Sequence, residues 1–101
     1  MTRAHMALDR EAITDFCQRH PIRKLALFGS VLRDDFHTGS DVDILVYLDP
    51  DAHVTLLTLA GMELELTEIV GRQVDLRMPE EISHYIRQRV VDESETIYVR
   101  G

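Results

Sequence analysis

The chain has 101 residues, with 18 Asp and Glu against 11 Lys and Arg and a net charge of -7. That length gives room for one domain, 1–101, with a modest core, since a chain of this size buries roughly 60–70% of its unfolded surface. The acidic balance argues against a direct nucleic-acid footprint, the single Cys17 against a disulfide framework or a cysteine metal cluster, and the lack of a long apolar run against a membrane span.

Residues 1–8 read as a loose lead. They are polar and lack the apolar core of a signal peptide, which with one cysteine points to a reducing, cytoplasmic setting. Asp9 is a plausible N-cap for a helix to about Arg19, whose apolar face is Ala12, Ile13, Phe16 and Cys17. His20-Pro21 stops it. A first strand follows, about Arg23 to Phe28, then a short helix from Ser30 to about Asp35. The segment from Phe36 to Ser40 reads as a turn. A second strand spans about Val42 to Leu48 and is ended by Asp49-Pro50-Asp51.

Residues 53–70 are the longest periodic stretch and predict a helix with Gly71 as its left-handed terminator. Its apolar residues cover well over half of the wheel, more than one sheet face needs. Either neighbouring helices cover the remainder or it forms a partner-binding face. Gln73 to Met78 is a third strand carrying Asp75. Pro79 suits the first turn of a helix, with Glu80 and Glu81 favourable at its positive end and Ile82, Tyr85, Ile86, Arg89 and Val90 on its faces. Thr96 to Val99 reads as a fourth, edge strand. Tyr47, Tyr85 and Tyr98 read as packing residues, and the five histidines show no metal-ligand spacing. The expected architecture is α/β, a small mixed sheet flanked by helices.

The chemistry centres on residues 25–46. The first strand ends at Gly29-Ser30, ten residues intervene, and Asp41-Val42-Asp43 opens the second strand. Residues i and i+2 of a strand share a face, so Asp41 and Asp43 project together while Val42 points into the core. Two adjacent carboxylates are unfavourable unless one is protonated or a cation lies between them. Mg2+ favours a few carboxylates plus substrate phosphates, and paired metal ions can clamp the attacking and leaving oxygens of a phosphoryl or nucleotidyl displacement. Gly29 lets backbone approach a phosphate closely, and Ser30 can cap the helix after it, whose free N–H groups make an anion site. The plainer alternatives are a solvated strand start and an ordinary strand-to-helix turn. Arg33, one turn beyond Ser30, is either a phosphate contact or the partner of a surface acid such as Asp34 or Asp35. Asp75, by pattern alone, lies on the exposed face of an edge strand.

Gly29-Ser30, Arg33 and Ser40-Asp41-Val42-Asp43 with the apolar run after them resemble the polymerase-beta-type nucleotidyltransferase superfamily. The similarity covers roughly residues 12–90 and is greatest to its minimal branch, the MNT antitoxins paired with HEPN toxins. Leu32 and Asp34 stand where members often carry a small residue and Gly. The resemblance implies a polymerase-beta-like fold and AMP transfer from ATP to a hydroxyl, with pyrophosphate leaving. It implies that Asp41 and Asp43 bridge two Mg2+ and that Asp75 completes the metal set and helps deprotonate the acceptor. Gly29, Ser30 and Arg33 would hold the triphosphate. Because the catalytic core uses nearly the whole chain, a separate chain would bring the acceptor. In the MNT branch that chain is the HEPN toxin, adenylylated on a tyrosine. The competing readings are an antitoxin that neutralises by occlusion with a vestigial nucleotide site, and a free-standing transferase acting on a small molecule.

Overall fold

The computed structural model describes residues 8–32 and 41–100, with Ser30 as backbone only. Helix α1 (Arg10–Arg19) is capped by Asp9, whose carboxylate accepts from the Ala12 N–H at 3.0 Å, and it ends at an extended His20. Strand β1 (Ile22–Phe28) leads into a one-turn 3-10 helix, Gly29–Leu32. That turn begins one residue earlier than the expected helix and is pinned by the fully buried Val31. The remainder of the expected helix and the turn from Phe36 to Ser40 lie outside the described residues.

Strand β2 (Val42–Leu48) follows, then α2 (Leu56–Val70), β3 (Val74–Arg77), α3 (His84–Glu93) and β4 (Glu95–Val99). The sheet order is β3-β2-β1-β4, with β1 antiparallel to both of its neighbours and β2 parallel to β3. It is the expected small mixed sheet, with β4 on one edge.

Alternation along the strands sorts the two sheet faces. Leu25, Leu27, Val42, Ile44, Val46, Val74 and Leu76 point to one side. There they meet Ile13, Phe16 and Cys17 of α1 and Leu59, Met62 and Leu66 of α2 in one core. Burial pushes the Cys17 thiol up to about 12, marking it as a core residue and not a nucleophile. Arg19 ties the two helices together, pairing with Asp15 at 3.1 Å and with Glu65 of α2, which His20 also contacts. The Arg19 hydrogen bond holds the Glu65 carboxyl below its usual range. On the opposite face Ala26 and Leu45 are buried where α3 and the Pro79–Glu81 turn approach β1 and β2.

Two expectations change. Pro79 opens a separate 3-10 turn, Pro79–Glu81, not the long helix. Ile82 is extended, so the backbone breaks and α3 starts afresh at His84. Glu81 closes the short turn by accepting from the Met78 N–H at 2.8 Å, and Arg87 of α3 donates to the Ile82 carbonyl at 2.9 Å, tethering the two pieces. Tyr85 is not a packing residue: it is 86% exposed and its ring contacts His84.

Helix α2 begins at Leu56, capped by Thr55, and ends at a left-handed Gly71 as expected. Its apolar arc is two-sided. Leu59, Met62 and Leu66 face the core, whereas Leu56, Leu57 and Leu64 are 82%, 83% and 67% exposed. No described neighbouring helix covers them, which removes the simpler of the two explanations for the wide arc. Leu57→Glu and Leu64→Glu are each expected to change unfolding free energy by no more than about 0.5 kcal/mol, whereas Leu66→Ala should cost about 2–5 kcal/mol. Urea denaturation of the three variants checks this; unfolding of either Glu variant would return the leucines to the core.

Candidate active site

The site is built where β1 ends and β2 begins. At Gly29 the chain turns with φ +74, a conformation that side chains rarely adopt. A second constraint acts at the same atom: a Cβ on Gly29 would lie 2.3 Å from Oδ2 of Asp43. The Asp43 carboxylate is therefore packed against the bare backbone of the turn.

Sheet register supplies the rest. Asp43 is the Cα partner of Phe28 on its antiparallel side and of Asp75 on its parallel side. Directly paired residues point to the same face, so Asp43 and Asp75 stand side by side, and Asp41, two residues before Asp43, lies on that face as well. Asp41 is exposed, and Asp43 and Asp75 are half-buried. This is the face opposite the α1–α2 core, at its open end.

Asp75 is held by Arg77, with Nε to Oδ1 at 3.1 Å and Nη2 to Oδ2 at 3.3 Å. The Asp75 hydrogen bond raises the Arg77 pKa further, and the Asp43 charge adds to the effect. The strand beneath Asp75 is fixed from its outer edge by α2. Glu63 accepts from the Leu76 N–H at 2.8 Å, and the Thr67 hydroxyl accepts from the Val74 N–H at 3.1 Å. Both backbone neighbours of Asp75 are thus tied to one helix, which also blunts an otherwise open sheet edge. Sequence reading missed this role, although the signal was present: two polar residues spaced i, i+4 in an apolar helix.

A cavity of about 590 Å³ opens beside Asp43. Its walls are Phe28, Gly29 and Leu32 on one side and Ile86, Arg89, Val90 and Glu93 of α3 on the other. A wider depression of about 890 Å³ runs along the outside of α1 from Asp9 to Gln18 and contains none of these groups.

The donor set suits a hard cation: carboxylates sharing one face beside an open cavity and a glycine backbone. Among the described residues no group of three or more carboxylates, imidazoles or thiolates is placed to hold a metal ion by itself. Mg2+ sites of this kind draw their remaining ligands from substrate phosphates and water. The structure thus brings together Gly29, Asp43 and Asp75, with Asp41 two residues away on the same face. The Ser30 side chain and all of Arg33 lie outside the described residues.

Comparison with known proteins agrees with this geometry. Residues 9–97 match the nucleotidyltransferase domain family. The protein adenylyltransferase MntA of Thermococcus cleftensis is 34% identical over 82 residues, covering 81% of this chain and 79% of that protein. A solved structure of a candidate minimal nucleotidyltransferase is 33% identical, with a TM-score of 0.70, covering 89% of this chain and 95% of the other. The fold is also shared, at 19% identity and a TM-score of 0.64 over 90% and 70% of the two chains, with a complex of a tri-AMPylated Shewanella oneidensis HEPN toxin and its MNT antitoxin. With a match along most of its length and relatives above 30% identity, the chain belongs to the nucleotidyltransferase family and is a minimal nucleotidyltransferase.

Proposed function

We propose that the protein transfers AMP from ATP to a tyrosine hydroxyl of a partner HEPN-type ribonuclease toxin and so acts as its antitoxin, with 1–101 working as one catalytic domain. The observation that carries this reading is the in-register pair Asp43 and Asp75, with the Asp43 carboxylate against the glycine turn. The adenylyltransferase relative and the HEPN–MNT complex support the choice of nucleotide and partner.

Asp41, Asp43 and Asp75 would hold two Mg2+, which supply charge neutralisation at the transferring phosphoryl group. Gly29, Ser30 and Arg33 would position the β- and γ-phosphates. The acceptor oxygen forms a bond to the α-phosphorus, the bond from that phosphorus to the β-phosphate oxygen breaks, and pyrophosphate leaves. Asp75 takes the hydroxyl proton, which requires that it leave Arg77. The catalytic contribution is positioning and electrostatics, not covalent chemistry. The exposed leucines of α2 offer the partner an apolar surface, and Leu57→Glu or Leu64→Glu should weaken the complex.

Two measurements test the reading. ATP with Mg2+ is expected to raise the melting temperature more than ATP with chelator, because a ligand that completes the metal site stabilises only the folded state; equal shifts would remove the metal assignment. Labelled ATP should mark the partner on tyrosine. The Asp75–Arg77 pairing favours a second reading, neutralisation by occlusion. Under that reading a transfer-dead Asp43→Asn protein would still neutralise the toxin.

A further inference from the structure

Helix α3 has ten residues and buries none of its side chains fully. A helix this short is marginal on its own, so it ordinarily needs an apolar stripe packed against the fold. Ile86, Arg89, Val90 and Glu93 follow the i, i+3, i+4, i+7 spacing of one helix face, of which Ile86 and Val90 are the apolar members. That stripe looks into the cavity of about 590 Å³ whose far wall is Phe28, Gly29, Leu32 and Asp43. Ile86 remains 45% exposed there. The volume is within the range of small-molecule sites, and the stripe runs ~10 Å along the helix axis, the reach of a base and its sugar. Its lining offers two apolar side chains and one cation, with the Glu93 carboxylate at the far end of the helix face. Ile86 and Val90 are branched apolar surfaces suited to a nucleobase, and Arg89 makes no ion pair with a described residue. With Arg77, which is engaged by Asp75, it is one of two cations among the described residues beside the carboxylates of the site.

We propose that α3 is the nucleoside wall of the active site, with Ile86 and Val90 seating the base and sugar of the triphosphate and Arg89 donating to a phosphate oxygen. The inference rests on the reading of the Gly29–Asp43 site as a nucleoside triphosphate site and adds what holds the other end of the molecule. Ordering follows from it: the cavity side of α3 gains its packing partner only when the nucleotide is bound.

The test compares ATP with inorganic tripolyphosphate, each with Mg2+, by calorimetry on the full chain. Ile86→Ala and Val90→Ala should each weaken ATP about tenfold, the usual effect of removing apolar pocket surface, and leave tripolyphosphate unchanged. Arg89→Ala should weaken both. Backbone amide exchange in α3 should slow with ATP and not with tripolyphosphate. In turnover the Ile86 and Val90 variants should raise KM for ATP with kcat retained at saturation, the mark of lost uniform binding. If wild type binds ATP and the Ile86 and Val90 variants bind it equally well, the wall is elsewhere and the proposal is overturned. If wild type binds tripolyphosphate and ATP with the same affinity, no nucleoside wall exists. If wild type binds neither, the triphosphate reading of the site itself fails. These side chains are not part of the buried core, so melting curves of the variants should overlay wild type and keep binding losses separate from unfolding.

Discussion

Asp43→Asn is expected to reduce AMP transfer by on the order of 10²–10³ or more, the scale seen when one preorganised charge-stabilising group is lost, while the protein stays folded. The amide is nearly the shape of the carboxylate, so the half-buried position on β2 and its packing against Gly29 are kept. What disappears is the negative charge that, in the proposed function, would hold a cation together with Asp41 and Asp75. Without bound metal the variant should stay folded, with the relief of carboxylate repulsion set against the loss of the Asp43 attraction to Arg77. A urea denaturation curve beside a labelled-ATP transfer assay checks both halves. Retained transfer with a clear loss of stability would make Asp43 a structural residue.

Gly29→Ala should lose both stability and activity, and comparison with Gly71→Ala separates the causes. Both glycines have positive φ, +74 and +80. Both substitutions therefore introduce a backbone strain of roughly 1–2 kcal/mol. At Gly71, the C-cap of α2, nothing lies within 4 Å of where the added methyl would sit, so strain is the whole effect. At Gly29 the methyl would meet the Asp43 carboxylate at 2.3 Å, and one of the two must move. Because Asp43 is in register with Asp75, moving it disturbs the paired carboxylates as well as the turn. The expected result is a larger loss of melting temperature in Gly29→Ala than in Gly71→Ala, and loss of transfer only in Gly29→Ala. Equal activity in both would mean that the Gly29–Asp43 contact has no bearing on catalysis.

Much of the fold is legible because local chemistry announces it. Asp9 as cap, the His20-Pro21 stop, Gly71 as left-handed terminator and the apolar strand 42–48 all appear where the sequence predicts them. The stretch after β3 departs from expectation because Pro79 and two glutamates are as suitable for a single 3-10 turn as for a long helix. The deciding event is the extended backbone at Ile82 and the non-helical Ser83 after it, which no propensity at those positions demands. Tyr85 departs for a related reason: the break sets the phase of α3, and the phase puts Tyr85 outward.

The sequence by itself determined the chemical vocabulary: a glycine turn, two carboxylates sharing a strand face, and an isolated acid in a later strand. Those depend on periodicity two and on short-range backbone geometry, which are local properties. Only the tertiary structure decided which groups meet. The parallel register of β2 with β3 sets Asp75 beside Asp43. Glu63 and Thr67 of α2 lock that strand from its edge, and the packing of α3 across the sheet turns an apparent core stripe into a cavity wall. Such contacts join residues far apart in the chain, and pattern within one segment carries no information about the partner that another segment brings to it.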